Sequence, residues 1–497
     1  MPESKLNEAL IFRRTKIVAT VGPACSNEAT IVELINAGVN VFRLNMSHGT
    51  HDEHRLRYQR IRTSAARLQK PVAVLADLCG PKIRVGLFEG DGVDLAPGGR
   101  VTITTETVLG TKDRFTTQYA ELPQDVVPGS RILLDDGNLE LLVEGVAGTE
   151  VSAVVVNGGH LKDKKGMNLP GVAVSAPALT QKDRADAQFA SALGVDWLAL
   201  SFVRKASDLE ELRAMLVAAK SPALIIAKIE KPEAVEAIDA ILDASDAVMV
   251  ARGDLGVELD LARVPNVQEE LVDKARDKQK PVIVATQMLE SMITASRPTR
   301  AEVTDVANAV RSGADAVMLS AETAAGAHPV ETVRTMDLII RQTEAYLFEH
   351  GAFGNFDAYT PTAHSAATQL DACTSRRAVR QTDAEEAIAE ATSSMSRTLR
   401  TNAIVAMSAS EGLLRFLSSK RPASIICLPS SSTRLLAVGC LSWGVQPVAL
   451  PFAESEDPVE VVRSLESLVR FEQVGGFWLF VHSNSGKSAG ISVFATP

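Results

Sequence analysis

Short apolar runs rich in Val, Ile, Leu and Ala recur along the first two thirds of the chain, each bounded by polar or glycine-containing stretches. Eight occur before residue 325: IVATV from Ile17, VNVFRL from Val39, VAVL from Val72, WLAL from Trp197, LIIA from Leu224, AVMVA from Ala247, VIVA from Val282 and ADAVML from Ala314. Continuous rather than alternating hydrophobicity suits strands covered on both faces, as in a parallel sheet. Successive starts lie 22, 33, 125, 27, 23, 35 and 32 residues apart. Six of the seven spacings fit one strand, one helix and two loops, and the remaining one holds an insertion of roughly 90 residues beyond a βα unit. The segments between read as helices with proper ends. Ser207 with Glu210 and Thr299 with Glu302 have capping-box spacing, while Gly38, Gly194 and Gly313 stand where helices should stop. Eight alternating units predict an α/β fold of the (β/α)8, or TIM, barrel type. The alternative is an open doubly wound sheet, but no glycine fingerprint for a dinucleotide follows the first strand.

Inside the insertion the pattern changes: VTITTE, RILLDDGNLELLVEGV and VSAVVV alternate or carry β-branched runs, and Asp136-Gly137 signals a hairpin. A small β-barrel cap domain over 85–173 is expected, inserted after the third strand and therefore at the C-terminal face of a barrel made of 1–84 and 174–350. A poorly periodic stretch over 351–381 reads as linker. Five further runs, from Ile404, Ser424, Val445, Phe477 and Ile491, predict a C-terminal α/β domain over 382–497 for effector binding or assembly.

Composition agrees with several cores rather than one, because 497 residues exceed what a single core holds. A formal net charge of -10 argues against nucleic acid or an anionic bilayer as partner. Aromatic residues are only 4%, so stacking platforms are scarce. The cysteines, Cys25, Cys79, Cys373, Cys427 and Cys440, are odd in number, widely spaced and without a CxxC, which argues against a disulfide framework or a structural zinc site. The first residues, MPESKLNEALIFRRTK, lack the apolar region of a signal peptide, and a cytoplasmic location is expected. One uncharged stretch, Leu435 to Ala453, contains Gly439, Gly444, Pro447 and Pro451 and does not read as a membrane span.

Catalytic groups of such barrels come from the C-terminal ends of the strands. Here those ends carry Arg43, Asn45, Ser47 and His48 after the second run, Asp77, Lys82 and Arg84 after the third, and Lys228 and Glu230 after the fifth. Arg252 and Asp254 follow the sixth, Thr286 and Gln287 the seventh, and Ser320, Glu322 and Thr323 the eighth. Glu230 and Asp254 offer hard oxygen ligands with no neighbouring Cys or HxxH, which points to Mg2+ or Mn2+; the alternative is that each pairs with Lys228 or Arg252. Arg43, Arg84 and Lys228 would crowd positive charge at one mouth, which suits a phosphorylated carboxylate. His51 and His54 begin a charged helix and are expected in its solvated first turn. Cys79 is expected to be inert.

On these strand ends the chain resembles the pyruvate kinase family. The matches are TKIVATVGPA at Thr15 to Ala24, RLNMSHGT at Arg43 to Thr50, DLCGPKIRVG at Asp77 to Gly86, KGMNLPG at Lys165 to Gly171, AKIEKPEA at Ala227 to Ala234, MVARGDLGVE at Met249 to Glu258, ATQMLESM at Ala285 to Met292 and the long run from Pro298. The resemblance implies phosphoryl transfer from phosphoenolpyruvate to ADP. It implies Glu230 and Asp254 as metal ligands, and Lys228, Arg43, Arg84 and Thr286 as catalytic groups, Thr286 as proton donor or as part of a water relay. Gly253, Asp254 and Ser320 would join Arg43, Lys228 and Thr286 around the substrate, and Asn45, His48, Arg84 and Lys182 would bind the nucleotide. A helix-start role is the alternative for Lys182.

Three departures bear on function. Relatives with glutamate at the position of Lys82 bind K+ near Asn45, Ser47 and Asp77; a lysine here implies that K+ is not required. Glu53 stands where some relatives place an aromatic residue near adenine, which implies loose base selectivity. The tail VHSNSGKSAGISVF departs from the family, although SWGVQPV at Ser442 to Val448 resembles it. An effector loop at Ser408, Ser410 and Gly412 or an ordinary capped helix fits SASEG equally. A homotetramer is implied by resemblance alone. A metal-dependent aldolase or lyase acting on a pyruvate enolate is the rival enzyme, and a non-catalytic metabolite sensor the rival of another class.

Overall fold

The computed structural model describes residues 10, 12–350, 381–407, 409–450, 457–469, 471, 476–484 and 488–496. The expected linker, apart from Gln381, and Cys373 and Ser408 lie outside the described residues. Eight strands close a parallel barrel: β1 (Lys16–Thr20), β2 (Val41–Asn45), β3 (Ala73–Asp77), β4 (Trp197–Leu200), β5 (Leu224–Ile229), β6 (Ala247–Ala251), β7 (Val282–Ala285) and β8 (Ala316–Leu319). Each pairs with the next, and β8 returns to β1 with Lys16 opposite Ala316. The strands are buried almost throughout because one face packs into the barrel and the other against helices, which is why their sequences do not alternate.

The helix ends follow local chemistry. Thr299 and Glu302 form the expected capping box, and Gly38 and Gly194 end their helices in the left-handed conformation. Ser207 and Glu210 do not cap. That helix, Ala206–Ala218, starts earlier, and the Asp208 carboxylate accepts the Arg204 and Lys205 N–H groups at 3.0 and 3.3 Å. The expectation of a solvated first turn also fails for His54. The ring is 1% exposed and its Nε2 lies 2.9 Å from the His48 carbonyl, because helix His51–Leu68 turns the His54, Ile61 and Ser64 face inward.

Between β3 and β4 the insertion forms a six-stranded mixed sheet and a two-stranded ribbon around its own core of Val85, Ile103, Phe115, Leu134 and Leu141. The Asp136-Gly137 turn joins Arg131–Leu134 to Leu139–Ala147, with φ of 56° and 87° at its two residues. The final sheet has five strands, all parallel except the last. The uncharged stretch beginning at Leu435 is part of helix Thr433–Leu441 followed by strand Val445–Val448. Among the described residues no helix is long and apolar enough to cross a membrane.

This C-terminal unit packs on the bottom of the barrel. Arg421, 2% exposed, gives Nη1 to Asp315 Oδ1 at 2.9 Å and Nη2 to the Gly313 carbonyl at 2.7 Å, and its guanidinium lies 4.9 Å from the centre of the Trp443 ring. Trp443 N–H also reaches Asp315 Oδ1, while Asp315 Oδ2 accepts the Val282 N–H at 3.0 Å. Lys16 donates to the Val445 carbonyl beside a cavity of about 860 Å³ at this base, remote from the strand ends that carry the chemistry.

Candidate active site

At the opposite end of the barrel the strand ends meet in a dense ionic cluster. Lys228, on β5, donates from Nζ to Ser201 Oγ at 2.7 Å and lies 2.8 Å from Glu230 Oε1 and 3.3 Å from Asp77 Oδ1. The last two contacts are ionic, since neither oxygen receives a directed hydrogen bond. Asp77 Oδ2 accepts from Arg43 Nε at 2.6 Å, and Arg43 Nη1 donates to Thr20 Oγ1 at 3.0 Å. Register produces this contact: Arg43 sits opposite Thr20 on β1, and Asn45 opposite Asp77 on β3.

Burial and charge oppose one another here. Burial alone would raise the Asp77 carboxyl, but Lys228 and Arg43 outweigh it and hold it below the usual range. Burial lowers the Lys228 ammonium, yet Asp77 and Glu230 together push it well above an ordinary lysine. Glu230 is left raised, by burial first, with Lys228 opposing and the Asp254 charge adding to the rise. Its Oε2 accepts the Phe202 N–H at 2.7 Å, and Asp254 has the Lys82 ammonium 3.6 Å away. Glu230 and Asp254 thus repel each other, and Glu230 Oε1 is buried without a directed donor, a donor set suited to a hard divalent cation that takes its remaining ligands from substrate. Among the described residues no group of three or more His, Cys, Asp and Glu forms a self-sufficient metal cage.

On the far side of the mouth β7 ends in Thr286 and Gln287 at φ 72° and 54°, left-handed values that a β-branched residue rarely adopts. Arg252 holds this turn, giving Nη2 to the Thr286 carbonyl at 2.8 Å and Nη1 to Asp305 at 2.7 Å. Thr286 Oγ1 accepts the Gly253 N–H at 2.8 Å and donates to the Ala285 carbonyl at 2.5 Å. Ser320 follows β8, where its N–H is held by Glu322 Oε2 at 2.6 Å.

The remaining sequence candidates divide between the rim and other places. Arg84 stands at the root of the cap and donates to the Lys164 carbonyl at 3.0 Å. His48 is held below the ordinary imidazole value by burial first and then by the charges of Arg84, Arg43, Lys82 and Lys182. Asn45 Oδ1 accepts the Ser47 N–H, whereas Asp77 is committed to Arg43 and Lys228 and the Lys82 ammonium lies by Asp254. Ser410 accepts the Leu413 N–H at 2.9 Å as an N-cap and donates to Glu385 Oε1 at 2.7 Å; a Cβ at Gly412 would lie 2.7 Å from Glu385 Oε2. A carboxylate therefore stands at that helix start, the arrangement of a capped helix.

Sequence reasoning missed Thr20 and Ser201, the partners of Arg43 and Lys228. Both follow from position, at the C-terminal ends of β1 and β4. It also missed Asp183, fully buried, whose Oδ1 accepts the Gly80 N–H at 3.0 Å and fixes the loop that leads to Lys82. The Thr180–Asp183 capping-box spacing was its available signal.

A barrel that gathers Arg43, Lys228 and Lys82 around Asp77, Glu230 and Asp254 defines a (β/α)8 enzyme for a small anionic substrate. Comparison with known proteins narrows the class. The family model described as "Pyruvate kinase, barrel domain" matches residues 12–333. A pyruvate kinase of Mycobacterium tuberculosis is 42% identical over 463 residues, 93% of each chain, and one of Mycobacterium intracellulare is 51% identical over 332 residues, 67% of this chain and 70% of that one. A crystal structure of a pyruvate kinase from Cryptosporidium parvum superposes with a TM-score of 0.85 at 33% identity, covering 98% of this chain and 96% of that one. The chain belongs to the pyruvate kinase family.

Proposed function

We infer that the protein transfers the phosphoryl group of phosphoenolpyruvate to ADP, giving pyruvate and ATP. The bond from phosphorus to the enol oxygen breaks, an oxygen of the ADP β-phosphate bonds to that phosphorus, and the enolate takes one proton at its methylene carbon. The observation that carries this reading is the buried Lys228 ammonium, held by Ser201, Asp77 and Glu230 at the centre of the strand ends. A cation so fixed neutralises charge as it develops on the transferring group and the enolate oxygen without reorganising.

In this reading Arg43 and Arg84 bind phosphoryl oxygens, Arg43 in an orientation set by Asp77 and Thr20. Glu230 and Asp254 hold Mg2+ or Mn2+, which when bound supplies Lewis-acid stabilisation of substrate oxygens. The backbone at Gly253 and Asp254 receives the substrate carboxylate beside Ser320. The Gly253 N–H then exchanges its bond to Thr286 for one to substrate, which leaves a lone pair of Oγ1 open to take a proton from water while the hydroxyl turns from the Ala285 carbonyl and passes its own proton on towards the enolate carbon. A threonine hydroxyl is a weak acid, so a water relay through Thr286 is preferred to direct donation. Asn45, His48, Arg84 and Lys182 meet the nucleotide, and Lys82 stands in for K+.

We further propose a cytoplasmic homotetramer. A phosphorylated effector reaching Ser410 and Gly412 has to displace the Glu385 carboxylate. The test is ADP-dependent release of pyruvate from phosphoenolpyruvate with Mg2+ present; no release from folded protein overturns the reading.

A further inference from the structure

Asp186 stands outside the ionic cluster, yet its two oxygens are divided between side chains of different elements. Oδ2 accepts from Lys182 Nζ at 2.5 Å, one turn earlier in helix Gln181–Leu193, and Oδ1 lies 2.7 Å from Nε2 of His51, which opens helix His51–Leu68. The Asp186 side chain is 4% exposed, against 56% for Lys182 and 43% for His51. An exposed lysine paired four residues from an exposed acid is a weak, wandering contact. A carboxylate withdrawn from water is different, because losing either partner leaves charge buried, so both partners are held in place.

His51 is itself fixed. Its ring stacks on Phe189 with centroids 4.1 Å apart and planes within 4°, and Arg55 lies over the other component of that stack, 5.3 Å from the Phe189 centroid. The imidazole therefore aims the carboxylate, and the carboxylate aims the lysine. Lys182 makes a second bond, to the Met46 carbonyl at 2.6 Å, in the loop that follows Asn45 and carries Ser47 and His48. An ammonium has three donors, so these bonds orient it and leave one N–H for a ligand. Lys182 is also one of the four cations that, after burial, hold the His48 imidazole below its ordinary value.

We propose that Asp186, aimed by His51, is a positioning residue for nucleotide binding: it holds the Lys182 ammonium against the loop of Asn45 and His48 so that the remaining N–H meets the nucleotide phosphates. The inference rests on the reading of Lys182 as a nucleotide contact. A carboxylate that merely joined two helices would affect both substrates alike; one that acts through Lys182 affects the nucleotide alone and has no effect once Lys182 is gone.

The experiment is steady-state kinetics with Mg2+, each substrate varied in turn, on Asp186→Asn, His51→Phe, Lys182→Met and the two double variants containing Lys182→Met. Loss of one charge-assisted bond raises the KM for ADP about tenfold in Asp186→Asn, and loss of the aiming bond raises it about threefold in His51→Phe, which keeps a ring against Phe189. The KM for phosphoenolpyruvate moves less than about twofold, and in the Lys182→Met background both substitutions change the KM for ADP by less than about twofold. Effects that add to that of Lys182→Met, or that raise both KM values together, overturn the proposal. If Lys182→Met alone leaves the KM for ADP unchanged, the nucleotide reading falls and the inference with it. Should Asp186→Asn fail to fold, His51→Phe carries the same comparison.

Discussion

Thr286 accepts the Gly253 N–H through Oγ1 at 2.8 Å while its own backbone is held at φ 72°. The hydroxyl is thus presented from a conformation that costs about 1–3 kcal/mol and that Arg252 maintains through the Thr286 carbonyl. Replacing Thr286 by Gly removes the hydroxyl and relieves the backbone together. The expected result is a protein that melts no lower than its parent but turns over at least about 100-fold more slowly. A thermal melt and a coupled assay on the same sample check it; a melt lowered by several degrees contradicts the strain account.

Arg43 gives Nε to Asp77 and Nη1 to Thr20, a fork that one ammonium cannot reproduce. Arg43→Lys should therefore lower kcat/KM for phosphoenolpyruvate roughly 100-fold. Asp77 keeps Lys228 as a partner, so the fold should survive. Circular dichroism alongside the assay separates the two effects, and an unimpaired kcat/KM would remove Arg43 from the phosphoryl site.

Lys82 places its ammonium 3.6 Å from Asp254 at the edge of the ionic cluster. Activity measured with tetramethylammonium as the sole monovalent cation should remain close to that in K+. Lys82→Glu reverses the local charge and should make turnover rise with added K+. Near-complete loss of wild-type activity without K+ refutes this.

Burial pushes the Lys16 ammonium down to about 8, with Arg13 adding to the effect against Cys440, Glu344 and Asp315. Between pH 8 and the ordinary lysine value near 10.5 the native protein has released this proton while the unfolded chain still binds it, so the contribution of Lys16 to stability rises with pH. Lys16→Met does not titrate. Relative to that variant, the wild type should gain about 3 kcal/mol between pH 7 and pH 10.5 in parallel denaturant melts. No relative gain means the ammonium is not held in the way described.

The strands were legible because double burial writes an uninterrupted apolar run, and the ends of those runs carry Arg43, Lys228, Glu230, Asp254 and Thr286 as candidates. What joins them was not legible. The Arg43–Asp77 bond depends on the stagger between β2 and β3, and the positive φ of Thr286 has no glycine to announce it. Local signals also compete. The Ser207 and Glu210 spacing yielded to Asp208, which accepts the Arg204 and Lys205 N–H groups at an earlier helix start. The charges of HDEH concealed that His54 shares a face with Ile61 seven residues on, a spacing that was available in the sequence.

Asp315 immediately precedes β8, and Ser320 immediately follows it. The bonds from Arg421 and Trp443 therefore grip the foot of a strand whose tip borders the mouth, and Val282 ties the same carboxylate to the foot of β7, whose tip is Thr286. By strand rise the two ends are about 17 Å apart along β8 and about 13 Å apart along β7, with no loop between them. One carboxylate, Asp315, thus joins the C-terminal unit to the feet of the two strands that present Thr286 and Ser320, which makes the base of the barrel and its mouth opposite ends of the same two strands.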